Sequence, residues 1–237
     1  MTLPKIGIPS LELKLPSTGK DVKYRPFLVK EEKILLLALE SEDDAQITSA
    51  VKELLKNCVT SRIKVEDLPS FDLEYLFLKI RAASVGEIIT MKVTCKDDNT
   101  TQVDAAININ DVEVFKPEGH TNKIMLSEDT GIIMRYPSMQ RFIEAEFLGK
   151  DLKTDEVFDF IADHIEQIFD KDTVYDSSTT SKKEFKQFLD TLTIKQFEEI
   201  QKFYDTMPRL RHEFEVVNPN TNEKSSYTIE GLQNFFA

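Results

Sequence analysis

The stretch Y-R-P-F-L-V-K-E-E-K-I-L-L-L-A-L-E-S at residues 24–41 joins an extended arm to an apolar helix, and most of the remaining chain reads as packing on it. Arg25 precedes Pro26, which biases it towards extended geometry, and Pro26 has no amide donor and belongs at a strand end. The arm therefore stops near Phe27. From Val29 onward the residues favour a helix, and Glu31 and Glu32 fall in its first turn, where the positive end of the helix dipole favours carboxylates. Ile34 to Leu39 is an unbroken apolar run that covers every face of a helix. The expectation is that other elements surround it on all sides.

Outward from this stretch, Leu11, Leu13 and Leu15 alternate with polar residues, and P-S-T-G-K at 16–20 turns into Val22–Phe27, giving a hairpin that feeds the helix. A second helix carries Ile47, Val51, Leu54, Leu55 and Cys58 as one buried stripe. A third starts at Pro69, with Ser70 as its expected N-cap, and its run from Phe71 to Ile80 leaves little polar surface. It is expected beside Ile34–Leu39. Gly86 ends it, Ile88–Cys95 and Thr101–Ile109 read as another hairpin, and 111–120 reads as a connector broken by Pro117 and Gly119.

Beyond the connector, Lys123–Leu126 and Gly131–Tyr136 form a short hairpin. A helix opens at Pro137 and stops at Gly149, and another runs from Asp155 to Phe169 after Thr154 as N-cap. Ser181 with Glu184, and Thr193 with Gln196, are capping boxes opening two more helices. Arg211–Val217 and Ser225–Ile229 make the last hairpin before G-L-Q-N-F-F-A. The fold class is α+β: two similar halves, 1–116 and 117–237, each with antiparallel hairpins around a helical centre, in an order that suggests internal duplication.

Across 237 residues the hydrophobic share of 41% suffices for a core, and 42 acidic against 30 basic residues give a net charge of -12. That charge opposes broad attraction to phosphate backbones and anionic lipid, so neither nucleic acid nor membrane is an expected partner. The N-terminus lacks the apolar core of a signal peptide and the run at 34–39 is too short to cross a bilayer, so the chain is expected in the cytosol where it is made. Cys58 and Cys95 read as reduced core or boundary residues.

The stretch at 24–41 resembles the corresponding segment of the baseplate hub assembly proteins of T-even-type contractile-tailed bacteriophages, and G-L-Q-N-F-F at 231–236 closes the chain much as members of that family close. The resemblance implies a non-enzymatic tail protein that promotes assembly of the baseplate hub or forms part of it, through contacts with other hub or tail proteins. It leaves open a transient chaperone absent from the finished virion, and self-association. The expected location is the host cytoplasm during assembly, or the virion baseplate. Candidate contact residues are Tyr24, Arg25, Phe27, Lys30, Phe235 and Phe236.

Chemistry of other kinds has little to stand on. No catalytic motif occurs, the three histidines are scattered, and no cofactor is expected. The hairpins at 93–104 and 214–227 have the shape of zinc knuckles without the ligands, since Asp98, Asn99, Asn218 and Asn222 stand where cysteines are needed. They are expected to rely on packing and turn hydrogen bonds. Asp155, Asp159, Asp163, Glu166 and Asp170, with His164, would line one side of the helix 155–170 and are the basis of an alternative metal-dependent reading; a solvated acidic face is the simpler account. The run from Asp170 opens like a calcium loop but lacks its glycine and terminal glutamate.

Overall fold

The computed structural model describes residues 6–41, 43–138 and 154–231. It is mixed α+β, with small antiparallel sheets and, among the described residues, no barrel, and divides into two compact units: Met1–Phe115 with Arg209–Ala237, and Lys116–Pro208.

In the first unit, β1 (Leu11–Lys14) and β2 (Asp21–Tyr24) form the leading hairpin, followed by α1 (Val29–Glu40), α2 (Asp44–Cys58) and α3 (Ser70–Val85). The α2 stripe is as its spacing requires, with Val51, Leu54, Leu55 and Cys58 buried. This helix packs against both α1 and α3. Pro69, not Ser70, is the N-cap of α3; Pro69 is extended, with no side-chain cap, and Ser70 is already helical and buried. Gly86, at φ 131°, ends the helix in a backbone region where only glycine is unstrained.

The expected second hairpin is β3 (Ile88–Thr94) with β4 (Gln102–Asn108). Within the supposed connector lies a strand, β5 (Glu113–Phe115), whose three residues are too few to show a period. It is fixed by pairing antiparallel with β10 (Arg209–Val217), which also pairs with β11 (Lys224–Glu230). The boundary between the units falls between Phe115 and Lys116, and the last hairpin lies with residues from the start of the chain because β10 borrows β5 as its second neighbour.

The second unit is built on a sheet of order β6-β7-β8-β9, from Lys123–Met125, Gly131–Met134, Ile165–Phe169 and Val174–Asp176. Helix α4 (Thr154–Asp163) stops where a helix to Phe169 was expected, and Ile165–Phe169 is a strand. Ile165 and Ile168 are buried in either reading; the flanking β7 and β9 supply ladders that decide for the strand. Helices α5 (Lys182–Leu189) and α6 (Ile194–Asp205) begin at the two expected capping boxes, with Ser181 and Thr193 as N-caps. Their Phe185, Leu189, Ile200 and Phe203 join Ile132, Met134, Ile161 and Ile165 in one core. Gly131 is required at its place, since a Cβ there would sit 2.7 Å from the Ile124 carbonyl oxygen. The helix expected from Pro137 to Leu148 lies outside the described residues.

Candidate interaction surface

Helix α1 is held by one charged residue at its start. The Glu31 side chain is 1% exposed, accepts 2.6 Å from the Leu28 amide through Oε2, and meets Arg25 Nη2 at 3.0 Å through Oε1. This satisfies an otherwise orphan donor at the helix start. Burial alone would push the Glu31 carboxyl up, but the hydrogen bonds from Arg25 and Leu28 and the charge of Arg25 outweigh it and hold the group below the usual carboxylate range. The Glu31 hydrogen bond in turn raises Arg25 above its ordinary value. Arg25 also donates to the Pro26 carbonyl at 2.9 Å, and its own amide bonds the Cys58 carbonyl, tying the arm to the end of α2.

The candidate contact residues therefore differ in what they offer. Tyr24 and Phe27 are buried, and Arg25 is mostly covered. Lys30 is open, 3.4 Å from Glu31. Phe235 and Phe236 lie outside the described residues. Sequence reasoning missed the side chains that form the surface itself: the run Ile34–Leu39 is not enclosed. Only Leu35 and Ala38 of that run are buried, while Leu36 is 52% and Leu37 56% exposed, Ile34 is at the edge, and Val29 is 80% exposed one turn earlier. A helix whose apolar run ought to be surrounded shows one side to solvent; its buried face bears Glu31, Leu35 and Ala38, and α2 packs against the helix. Lys33 and Glu40 are exposed on the same side.

The other constellations are internal. Cys58 and Cys95 are free and buried; burial pushes the Cys58 thiol up to about 11. At the hairpin tips, Asn99 and Asn222 adopt φ of 54° and 60°, and each donates its amide four residues back, to the carbonyls of Cys95 and Asn218 at 3.0 and 2.8 Å. The two tips thus repeat one turn, and they meet: the buried Asn218 Nδ2 donates to Asp97 Oδ2 at 2.9 Å and Asp98 Oδ2 at 3.0 Å, while Thr221 donates to Asp97 at 2.6 Å. Hydrogen bonds from Thr101 and the Thr100 and Thr101 amides are the main reason the Asp98 carboxyl lies far below the ordinary range. Tyr227 Oη adds a bond to the Thr94 carbonyl at 2.6 Å.

On α4 the carboxylates face lysines of α5. Lys182 meets Asp163 at 2.8 Å, Lys186 meets Asp159 at 2.9 Å, and Lys186 lies 3.7 Å from Asp155. Glu166 and Asp170 are not on that helix; Asp170 accepts from the amides of Asp172 and Thr173 in the turn between β8 and β9. His164 is buried, with Nδ1 2.7 Å from the Phe160 carbonyl oxygen. Among the described residues, no group of three His, Cys, Asp or Glu side chains is placed to hold a metal ion.

A family model described as T4 bacteriophage base plate protein matches residues 8–237. The chain belongs to that family. Neither the curated proteins nor the solved structures give a significant match. Membership supports a structural role in the phage baseplate, with other baseplate or tail proteins as partners. Among the described residues no helix is long and apolar enough to cross a membrane.

Proposed function

We propose that this baseplate-family chain works in the central hub, as a non-enzymatic subunit of it or a promoter of its assembly, and that the open side of α1 is its principal contact surface. The observation that carries the reading is Leu36 and Leu37, exposed in the middle of an apolar run on a helix whose opposite face is firmly held. Exposed apolar patches beside charged side chains are the usual form of protein interaction sites. In this reading Tyr24, Arg25 and Phe27 fix the helix, Lys30 lies on the contact rim, and Phe235 and Phe236 provide a second point of contact. The metal-dependent alternative loses its support, because Asp155, Asp159 and Asp163 face Lys182 and Lys186 while Glu166 and Asp170 lie off that helix.

Mass spectrometry of purified particles, run beside a pull-down from infected-cell lysate with this chain as bait, tests the role. Presence in particles at fixed copy number together with other hub chains is expected of a subunit. Capture with hub chains from lysate but absence from particles would make it an assembly factor that leaves. Failure to associate with any baseplate chain in either sample would overturn the hub reading.

A further inference from the structure

We infer that the open side of α1 binds a second copy of this chain, helix against antiparallel helix. The inference rests on the reading of α1 as a contact surface and adds what covers it. At 100° per residue, Lys33 and Glu40 fall on nearly the same line along the helix, at the centre of the exposed arc, with Leu36 and Leu37 flanking that line on either side. The arrangement is symmetric along the axis as well. Lys33 and Glu40 lie about 5 Å to either side of the midpoint between Leu36 and Leu37, from the rise of about 1.5 Å per residue.

A two-fold axis perpendicular to the helix at that midpoint brings each leucine against its own counterpart, Leu36 to Leu36 and Leu37 to Leu37. It also places Lys33 of one protomer beside Glu40 of its partner, twice. One end of the face is basic, with Lys30 and Lys33, and the other acidic, with Glu40, so the face is its own electrostatic complement when reversed. A parallel arrangement would set lysine against lysine. Antiparallel pairing also sets the positive end of each helix dipole beside the negative end of the other. This is the requirement of an isologous dimer interface, in which one patch is complementary to itself. Neither Lys33 nor Glu40 has an ion-pair partner among the described residues, so the pairing breaks no contact seen there. Two helix faces of this length bury roughly 1,200 Å² or less, at the low end of specific interfaces, so the dimer forms at about micromolar concentration rather than obligately.

Sedimentation velocity of the full chain across about 1–100 µM is the test. The expected result is a concentration-dependent dimer whose dissociation constant rises at least about tenfold in Leu36→Asp, with the melting temperature unchanged at concentrations where both chains are monomeric. Lys33→Glu and Glu40→Lys should each weaken it, and the double variant K33E/E40K should restore it, which no foreign partner on this face would produce. A wild-type chain that stays monomeric over the range overturns the proposal, as does a dimer indifferent to Leu36→Asp or a double variant weaker than both single ones. A monomer still recovered in particles sinks the dimer alone. A dimer associated with no baseplate chain sinks the hub reading alone.

Discussion

Helices α1 and α3 are written in nearly the same alphabet and have opposite fates. Each carries an apolar run, Ile34–Leu39 in α1 and Phe71–Ile80, interrupted by Asp72, Glu74 and Lys79, in α3. In α3, the residues Phe71, Leu73, Leu76, Phe77, Leu78 and Ile80 are all buried, enclosed by α2, β5 and β10 and by the 3-10 turn at Ile109–Asp111. In α1 only Leu35 and Ala38 of the run are buried. The lesson is that apolar content demands cover without saying which chain supplies it.

Each helix also buries one carboxylate, and again they diverge. Glu31 has the Arg25 guanidinium and is pushed below the ordinary range. Asp72, fully buried, has among the described residues the Ser17 hydroxyl and amide as donors, and burial wins, raising it. A buried charge with a cationic partner favours its ionised form, and one with neutral donors in the same setting does not.

Substitutions can break or sharpen this contrast. The largest effect belongs to Phe77→Ala in α3, which should cost about 3–5 kcal/mol by leaving a cavity, measured by denaturant unfolding. A loss below about 1 kcal/mol would mean that α3 is not the centre of its unit. Next, Glu31→Gln should cost about 1–3 kcal/mol, because Arg25 loses its charged partner in a mostly covered site. Its effect has a pH signature. With the folded value below the unfolded one near about 4.3, the stabilisation from Glu31 is present above that pH and is lost as pH falls through the folded value. Wild type and variant should therefore converge in acid.

Asp72→Asn reverses the sign. The Asn oxygen still accepts from the Ser17 amide and its NH2 can donate to the hydroxyl, so the change should stay within about 1 kcal/mol or stabilise at neutral pH. Because the folded value is raised, any gain is largest above it and shrinks as pH falls towards the unfolded value near about 3.9. Smallest of all, Leu36→Ala should alter melting by no more than about 0.5 kcal/mol, since little burial is lost within the chain. A Leu36→Ala loss comparable to that of Phe77→Ala would show that α1 is enclosed after all.

Much of the architecture was legible where local chemistry is self-contained. The capping boxes at Ser181 and Thr193 read directly, because their donors and acceptors sit three residues apart. The hairpin at β3 and β4 announced itself through alternation and a polar turn. Elements fixed by distant partners were hidden: β5 has only three residues and owes its form to β10, and Ile165–Phe169 carries spacing compatible with helix or strand. The candidate site was half legible. Arg25 and Lys30 lay in the stretch that decided the reading, yet Leu36 and Leu37 looked like core because an apolar run reports only a need for burial.

By itself, then, the sequence determined the element types over most of the described chain, the α+β class, the acidic surface and the family. The first three follow from residue chemistry within a few positions or from composition, and the family from the resemblance carried by the stretch at 24–41. Tertiary structure alone decided that β10 takes β5 as its neighbour, that the α4 carboxylates face Lys182 and Lys186, and that one side of α1 is left open. These depend on which surfaces meet across many residues of chain, and periodicity holds no information on that, because it fixes where a side chain points on its own element and not what stands opposite.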